Sequence, residues 1–566
     1  MACLAVAVGV IAGFGAVVFR AMIAGFHNLL FLGQLSWSYD ANLHTAAAPW
    51  GVLVILAPMI GAVGVAFIVG TFASEAKGHG VPEVMEAIYY KEGRIRPAVA
   101  VVKSIASALS IGSGGSVGRE GPIVQIGAAF GSTLGQWISM PAHQRIVLVA
   151  AGAGAGIAAT FNAPMGGIAF AIELMLPAVT ARSLLSVAIA IIVATRIGQA
   201  FFGVLPSFNV GALAVMRPDL SAGALPWFVI IGLATGVVAT VMTRAIYWFE
   251  DRFDAMPGNY YTRHVLGMAV VGLIFVGFMT WSTPIFGQPN HYYVQGVGYA
   301  TILDILRGDL TAPVFLLALA AAKLLVTCLT LGSGASGGVF SPALFLGAAV
   351  GAALGGLLQG VAPGLALAPT HFAIAGMAGM IAGTTGATIT AIVMVFEMTW
   401  DYGAILPIML TAAVAYVVRQ HLSPASIYTL KLLRRGDVVP QGLQAWLLGA
   451  RRAEDVMSVN FTVGEASPVQ DPPPTSGDRP APLRVVAREG RIAGVTPDDT
   501  GRGFLRHVVV EPQDKLGAVL RAMTRAGAAV ALVSASRTSG SPRDLVGVIT
   551  DREIAATTRA TAHLME

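Results

Sequence analysis

Residues 112–122 read GSGGSVGREGP, and residues 332–342 read GSGASGGVFSP. The two stretches lie 220 residues apart and agree at Gly112/Gly332, Ser113/Ser333, Gly114/Gly334, Ser116/Ser336, Gly118/Gly338 and Pro122/Pro342. Lys103/Lys323 and Gly127/Gly347 keep the same offset. The chain therefore holds a duplicated unit whose best-preserved part is a glycine-rich turn entering an apolar helix. In lipid, irregular backbone is tolerated only where it is buried in protein or lines a cavity. Paired interruptions in two halves of a chain point to a transport site. The copies differ where chemistry is concerned, because the counterpart of Glu120 is Phe340.

Composition sets the class. The 566 residues are 55% hydrophobic and 11% charged, with a mean hydropathy of +0.73, whereas a soluble domain carries about 25% charged residues. This pattern belongs to a polytopic membrane protein embedded in a lipid bilayer. No charge precedes Arg20, so the basic start of a signal peptide is missing and the beginning reads as a first membrane helix. The formal charge of +5 is small for this length, and no basic stripe suggests nucleic acid as a partner. Two cysteines, Cys3 and Cys328, sit in apolar sequence, which argues against a disulfide framework or a metal site. The ten histidines show no metal-ligand spacing, and neither a P-loop nor a serine elbow occurs. Nothing in the sequence suggests an enzyme or requires a cofactor.

The repeat extends beyond its first motif. AAGAGAGIAATFNAPMGGIAFAIELM ends at Met175, and AGMAGMIAGTTGATITAIVMVFEMT ends at Thr399. At an offset of 224 residues, Gly152/Gly376, Ala163/Ala387, Ile168/Ile392 and Glu173/Glu397 coincide. The expected fold is an all-α polytopic membrane domain, residues 1–435, built from two repeats of roughly 50–210 and 265–430, parallel or, as an odd number of spans per half would make them and as is preferred, inverted. Many apolar runs are glycine-broken, so short, tilted and re-entrant helices are expected. Arg434 and Arg435 follow the last apolar segment, and a basic cluster there favours a cytoplasmic tail. Within that tail, 436–566, residues 466–483 are proline-rich and read as a loop. LRHVVVE, AVALVSA and LVGVITD read as strands, with a helix from Asp514 to Ala526.

Several residues carry chemistry. Gly118 permits close approach or a positive φ, and Pro122 suits the first turn of a helix. The first N–H groups of that helix lack internal partners and face the positive end of its dipole, which makes an anion site. Glu120 sits among these donors. Its carboxylate can fill the site itself and leave on protonation, acting as gate and proton carrier. The plainer reading is a helix cap paired with Arg119, although ionisable residues within membrane segments are functional by default. Val339 and Phe340, after Gly338, offer a matching helix start without the acid. A third turn, GHGVPE at 78–83, places His79 between glycines, where its ring or only its backbone N–H faces a ligand. Tyr428 closes the membrane domain as an anion donor or an interfacial tyrosine. Glu173 and Glu397 lie in apolar helices, lining water or bonding between helices. Lys103 and Lys323 are either charges of a conduction path or, the preferred reading, snorkelling lysines.

Taken together, these residues resemble the CLC family of chloride channels and chloride/proton antiporters. GHGVPE (78–83), GREGP (118–122), FNAPMGGIAFAIE (161–173), GVGYATI (296–302), GSGASGGVFSP (332–342) and SIYTLKLLRRG (426–436) match in family order. The resemblance implies inverted repeats, a homodimer and one anion pathway per subunit. It implies that Glu120 is the external gating glutamate. Backbone N–H groups at Gly118, Arg119 and Glu120 and at Val339 and Phe340, with His79, Gly80, Gly338 and Tyr428, would line the chloride sites. Two departures bear on function. His79 stands where the family's GSGIP turn has serine, and nitrate-preferring plant relatives carry proline there. Leu174 stands where many family antiporters carry an inner proton-transfer glutamate, leaving Glu173 as the acid on that side. The tail resembles a pair of CBS modules, the first shortened and proline-interrupted. In the second, Gly547 and Thr550 match a nucleotide-binding pattern, with Asp551 adjoining and Glu553 replacing its aspartate. Adenine-nucleotide binding and a purely dimerising role are both open.

The expected function is chloride/proton antiport gated by Glu120 in a bacterial inner membrane, with the C-terminus in the cytoplasm. The alternative is a passive voltage- or pH-gated chloride channel, motivated by Leu174. A third reading is a nucleotide sensor anchored by a membrane domain that transports nothing.

Overall fold

The computed structural model describes residues 1–208, 224–361, 367–437, 439, 451–465, 483–488, 491–496, 504–536 and 541–555. It divides into two compact units, Met1–Tyr428 and Thr429–Glu566. Among the described residues, nine helices are long and apolar enough to cross a membrane. Between them lie shorter apolar helices, Pro97–Gly112, Pro164–Met175 and Thr388–Thr399, the broken segments anticipated from the glycine pattern. The chain is an integral membrane protein.

The two halves meet through bonds that recur when the repeats are exchanged. Gly118 N–H donates to the Gly338 carbonyl at 2.7 Å, and Gly338 N–H donates to the Gly118 carbonyl at 2.7 Å. Ser107 pairs with Ser336 at 2.8 Å, and the repeat-related Thr327 pairs with Ser116 at 3.2 Å. Glu173 accepts from the N–H groups of Ile389 and Thr390, while Glu397 accepts from those of Met165 and Gly166. Residues i and i+220 or i+224 thus exchange identical partners, the two-fold relation expected of inverted repeats. Within each repeat, glycines permit helix contact at backbone distance. A Cβ on Gly127 would lie 2.1 Å from the Gly152 carbonyl, and one on Gly347 would lie 2.3 Å from that of Gly376. Packing at this density leaves no space for a methyl group.

The buried lysines correct one expectation. Neither Lys103 nor Lys323 snorkels; both are fully enclosed. Lys103 Nζ donates to the carbonyls of Ala76 and Gly78, and Lys323 Nζ to those of Val294 and Gly296. A buried ammonium requires such acceptors. Each lysine fastens the glycine turn before a short helix: Val81–Tyr90 in the first repeat, Tyr299–Arg307 in the second.

The second unit holds two three-stranded sheets of one topology. In the first, β1 (Phe461–Glu465) runs parallel to β2 (Leu483–Arg488), which runs antiparallel to β3 (Arg491–Thr496). In the second, β4 (His507–Val510) runs parallel to β5 (Val530–Ser534), and β5 antiparallel to β6 (Leu545–Thr550). The helix Leu516–Ala526 makes the β4–β5 crossover. Val485 and Val495 pack with Val530, Leu532 and Val548 in one core. The strands and helix read from the tail are all present. Of the proline-rich stretch, 466–482 lies outside the described residues, and Leu483 opens β2.

Candidate functional site

Three glycine turns converge where the repeats meet. Gly78 N–H donates to the Ala335 carbonyl, and Gly337 N–H donates to that of Gly78, beside the Gly118–Gly338 pair. Gly118 and Gly338, read as anion donors, therefore spend their N–H groups on each other. Nor does Gly118 adopt the positive φ allowed for it; among the glycines of the three turns, Gly78, Gly80, Gly114 and Gly334 do. What the site requires of Gly121 and Gly338 is space. A Cβ on Gly121 would meet the His79 carbonyl at 2.1 Å, and one on Gly338 would meet Gly121 N at 2.7 Å.

Two helices begin here, Glu120–Trp137 and Phe340–Val361. Glu120 opens the first, yet its side chain reaches across to the second. Oε2 accepts from Ser341 N–H at 3.3 Å. Oε1 accepts from the Tyr299 hydroxyl at 2.8 Å and from the Ser341 hydroxyl. The carboxylate is 2% exposed. A negative group thus occupies the positive end of a helix dipole that belongs to the other repeat. This corrects the picture of Glu120 among the donors of its own helix. The pairing with Arg119 is absent as well: the Arg119 guanidinium lies 5.0 Å from the Tyr299 ring centre and 5.9 Å from that of Phe161.

A family model described as voltage gated chloride channel matches residues 61–420. The chain belongs to that family. It is 34% identical over 364 residues to a protein of Ralstonia nicotianae named as a ClcB-like chloride channel protein, covering 63% of this chain and 80% of that protein. It is 33% identical over 394 residues to the H(+)/Cl(-) exchange transporter ClcA of Vibrio parahaemolyticus, covering 68% and 80%. Among solved structures, a slow cyanobacterial Cl-/H+ antiporter matches with a TM-score of 0.66 at 26% identity, over 76% of this chain and 97% of that one. A eukaryotic CLC transporter matches in fold over 98% of this chain and 97% of its own, with a TM-score of 0.63 at 18% identity. These relatives are transporters and channels rather than enzymes.

In this CLC chain a cavity of about 320 Å³ reaches Tyr299 and Arg119. Among the described residues, Arg20, Arg119 and Arg307 line it against a single acid, Asp40, with Asn42, Asn162 and Ser207 among the remaining polar groups. Arg119 is buried, and its Nε has no hydrogen-bond partner. The lining favours small anions on electrostatic grounds.

On the other side of Glu120, Phe340 packs against Phe161 at 5.8 Å. Val339 and Phe340 are buried beside the docked carboxylate, but it is Ser341 N–H that bonds to it. The imidazole of His79 is buried and meets the Tyr247 ring edge-on at 6.3 Å, and Gly80 caps the helix Val81–Tyr90. The Tyr247 hydroxyl donates to the Ile427 carbonyl at 2.5 Å, which fixes the start of the helix bearing buried Tyr428. The glycine turn of 78–80 and Tyr428 are thereby joined through Tyr247.

Glu173 has both oxygens engaged: Oε1 accepts from Ile389 N–H, and Oε2 accepts from the N–H and hydroxyl of Thr390. In the second unit, Thr550 N–H and its hydroxyl both donate to Glu553 Oε2, and Asp551 follows exposed. Sequence reasoning missed Tyr299 and Ser341 as partners of Glu120. Both lie inside motifs already quoted, and only the Glu120/Phe340 asymmetry hinted that the second copy must supply donors.

Proposed function

We propose that this protein exchanges chloride for protons across the bacterial inner membrane, with Glu120 as gate and proton carrier. The observation that carries the reading is the Glu120 carboxylate seated at the N-terminus of the helix Phe340–Val361, where a transported anion would bind. Protonation removes the charge that holds it there and frees the seat. The exchanger names of ClcA relatives support the same coupling. In reconstituted vesicles, Glu120→Gln should abolish proton movement while anion flux persists. Proton uphill pumping by that variant under a chloride gradient overturns the assignment.

A passive channel is the second reading, favoured by Leu174 and by the full set of donors already on Glu173. The reversal potential under opposed chloride and pH gradients separates the two: a potential indifferent to pH eliminates exchange.

For the second unit we propose a cytoplasmic pair of CBS-like modules. Support comes from the repeated parallel-then-antiparallel order of its two sheets. Glu553 already fills the donors of Thr550, so a dimerising role is preferred to adenine-nucleotide binding. Transport requires no cofactor, and the functional unit is a homodimer. Calorimetry with ATP on the full chain, alongside its mass in detergent, tests both statements.

A further inference from the structure

We propose that Tyr299 and Ser341 form a double-hydroxyl latch that holds Glu120 ionised and seated, and so sets the external pH at which transport begins. The inference rests on the gate reading above. Glu120 Oε1 accepts from both hydroxyls, and those hydroxyls lie 2.9 Å from each other. Each hydroxyl has one proton to give. With both given to the carboxylate, the ionised acid has two charge-assisted bonds in addition to Ser341 N–H. The neutral acid either spends its proton within this triangle, if it sits on Oε1, or gives up Ser341 N–H as a donor, if it sits on Oε2, and the bonds that remain go to an uncharged acceptor and are weaker. The latch therefore discriminates between the two protonation states, which a merely space-filling pair would not do.

Its placement fits this role. Tyr299 begins the helix Tyr299–Arg307, immediately after the turn that Lys323 fastens. Its ring lies under the Arg119 guanidinium, and it lines the arginine-rich cavity. Groups arriving from the vestibule thus meet Tyr299 on the way to Glu120. Ser341 comes from the other side, on the helix Phe340–Val361. Val81, which like Tyr299 opens the short helix after a lysine-fastened turn, is apolar, and the counterpart of Ser341 is Gly121, so no matching pair of hydroxyls stands at these positions in the first repeat. The other charged or titratable groups around the site are Arg119 on its own turn, Lys323 on Pro313–Ser333, Tyr428 on Ile427–Arg434, and Arg20 and Asp40 at the cavity. None of these is altered by removing a hydroxyl.

The test is chloride-driven proton flux in liposomes of the full chain as a function of external pH, for wild type, Tyr299→Phe, Ser341→Ala and Glu120→Gln. Loss of one charge-assisted bond should move the activation midpoint upward by about one pH unit, since such bonds contribute about that much. Near neutral pH the single variants should then turn over up to about tenfold faster, with the chloride-to-proton ratio unchanged. Lower flux with an unmoved midpoint in both single variants overturns the latch and assigns the hydroxyls to packing. Ser341→Ala alone decides the matter if Tyr299→Phe does not fold. Glu120→Gln keeps the two failures apart. If it retains coupling and pH dependence, the gate reading falls and the latch with it. If it loses both while the hydroxyl variants leave the midpoint unmoved, only the latch falls.

Discussion

Gly118 and Gly338, equivalent residues of the two repeats, donate to each other's carbonyls at 2.7 Å. This reciprocal pair draws the starts of the helices Glu120–Trp137 and Phe340–Val361 together and puts the one acid within reach of the other copy's donors.

Gly338→Ala tests how tightly that junction is set. The added methyl would sit 2.7 Å from Gly121 N, and backbone cannot step aside as a side chain can. Overpacking of this kind costs about 1–3 kcal/mol. The variant should melt several degrees below wild type in detergent and lose most anion flux. Wild-type flux and melting would show that the helix starts are not fixed by this contact.

Glu173 and Glu397 should behave alike, because each caps a helix of the opposite repeat. Loss of a cap costs about 1 kcal/mol. We expect Glu173→Gln and Glu397→Gln to lower stability by similar amounts while proton coupling persists in both. Loss of coupling in Glu173→Gln alone would place that residue on the proton path rather than only on a helix end.

The three arginines of the cavity predict a salt-dependent capture step. Arg307→Gln should raise the chloride concentration for half-maximal flux several-fold in dilute buffer. The difference should vanish near molar salt, where screening acts within about 3 Å. An effect equal at both ionic strengths would point to a local structural role for Arg307 instead.

Outside the membrane helices, His291 stacks on His44 at 4.2 Å, and His44 bonds to Asp304 at 2.6 Å. Burial, then the His44 neighbour, lowers the pKa of His291 below the ordinary value, against the opposing pull of Asp304. The folded chain thus binds fewer protons than the unfolded one as pH falls below about 6.5, so stability is lost on that side. Replacing His291 with Gln should flatten the fall in melting temperature between neutral and mildly acidic pH. The same slope in both proteins would remove His291 from the account.

The repeat and the half-helices were legible because glycine and proline leave local marks, and Glu120 drew notice as an intramembrane acid. The carboxylate's actual partners were not legible. Tyr299 and Ser341 lie 179 and 221 residues away from it, and the motifs that hold them give no sign that they meet it. Lys103 and Lys323 were misread for a related reason. A lysine in an apolar run gives no sign of the carbonyls that a distant turn will bring to it. Their shared offset with the glycine turns was the usable signal, since a snorkelling residue has no cause to keep register.

The exchanged bonds between repeats also bear on how the protein is made. Glu173, Ser107 and Ser116 find their partners at Ile389 and Thr390, Ser336 and Thr327, all in the later half of the chain. During synthesis these partners emerge more than two hundred residues after the groups they bond to. Neither half can supply these particular bonds by itself, so the polar contacts between the repeats form only after the second half is made.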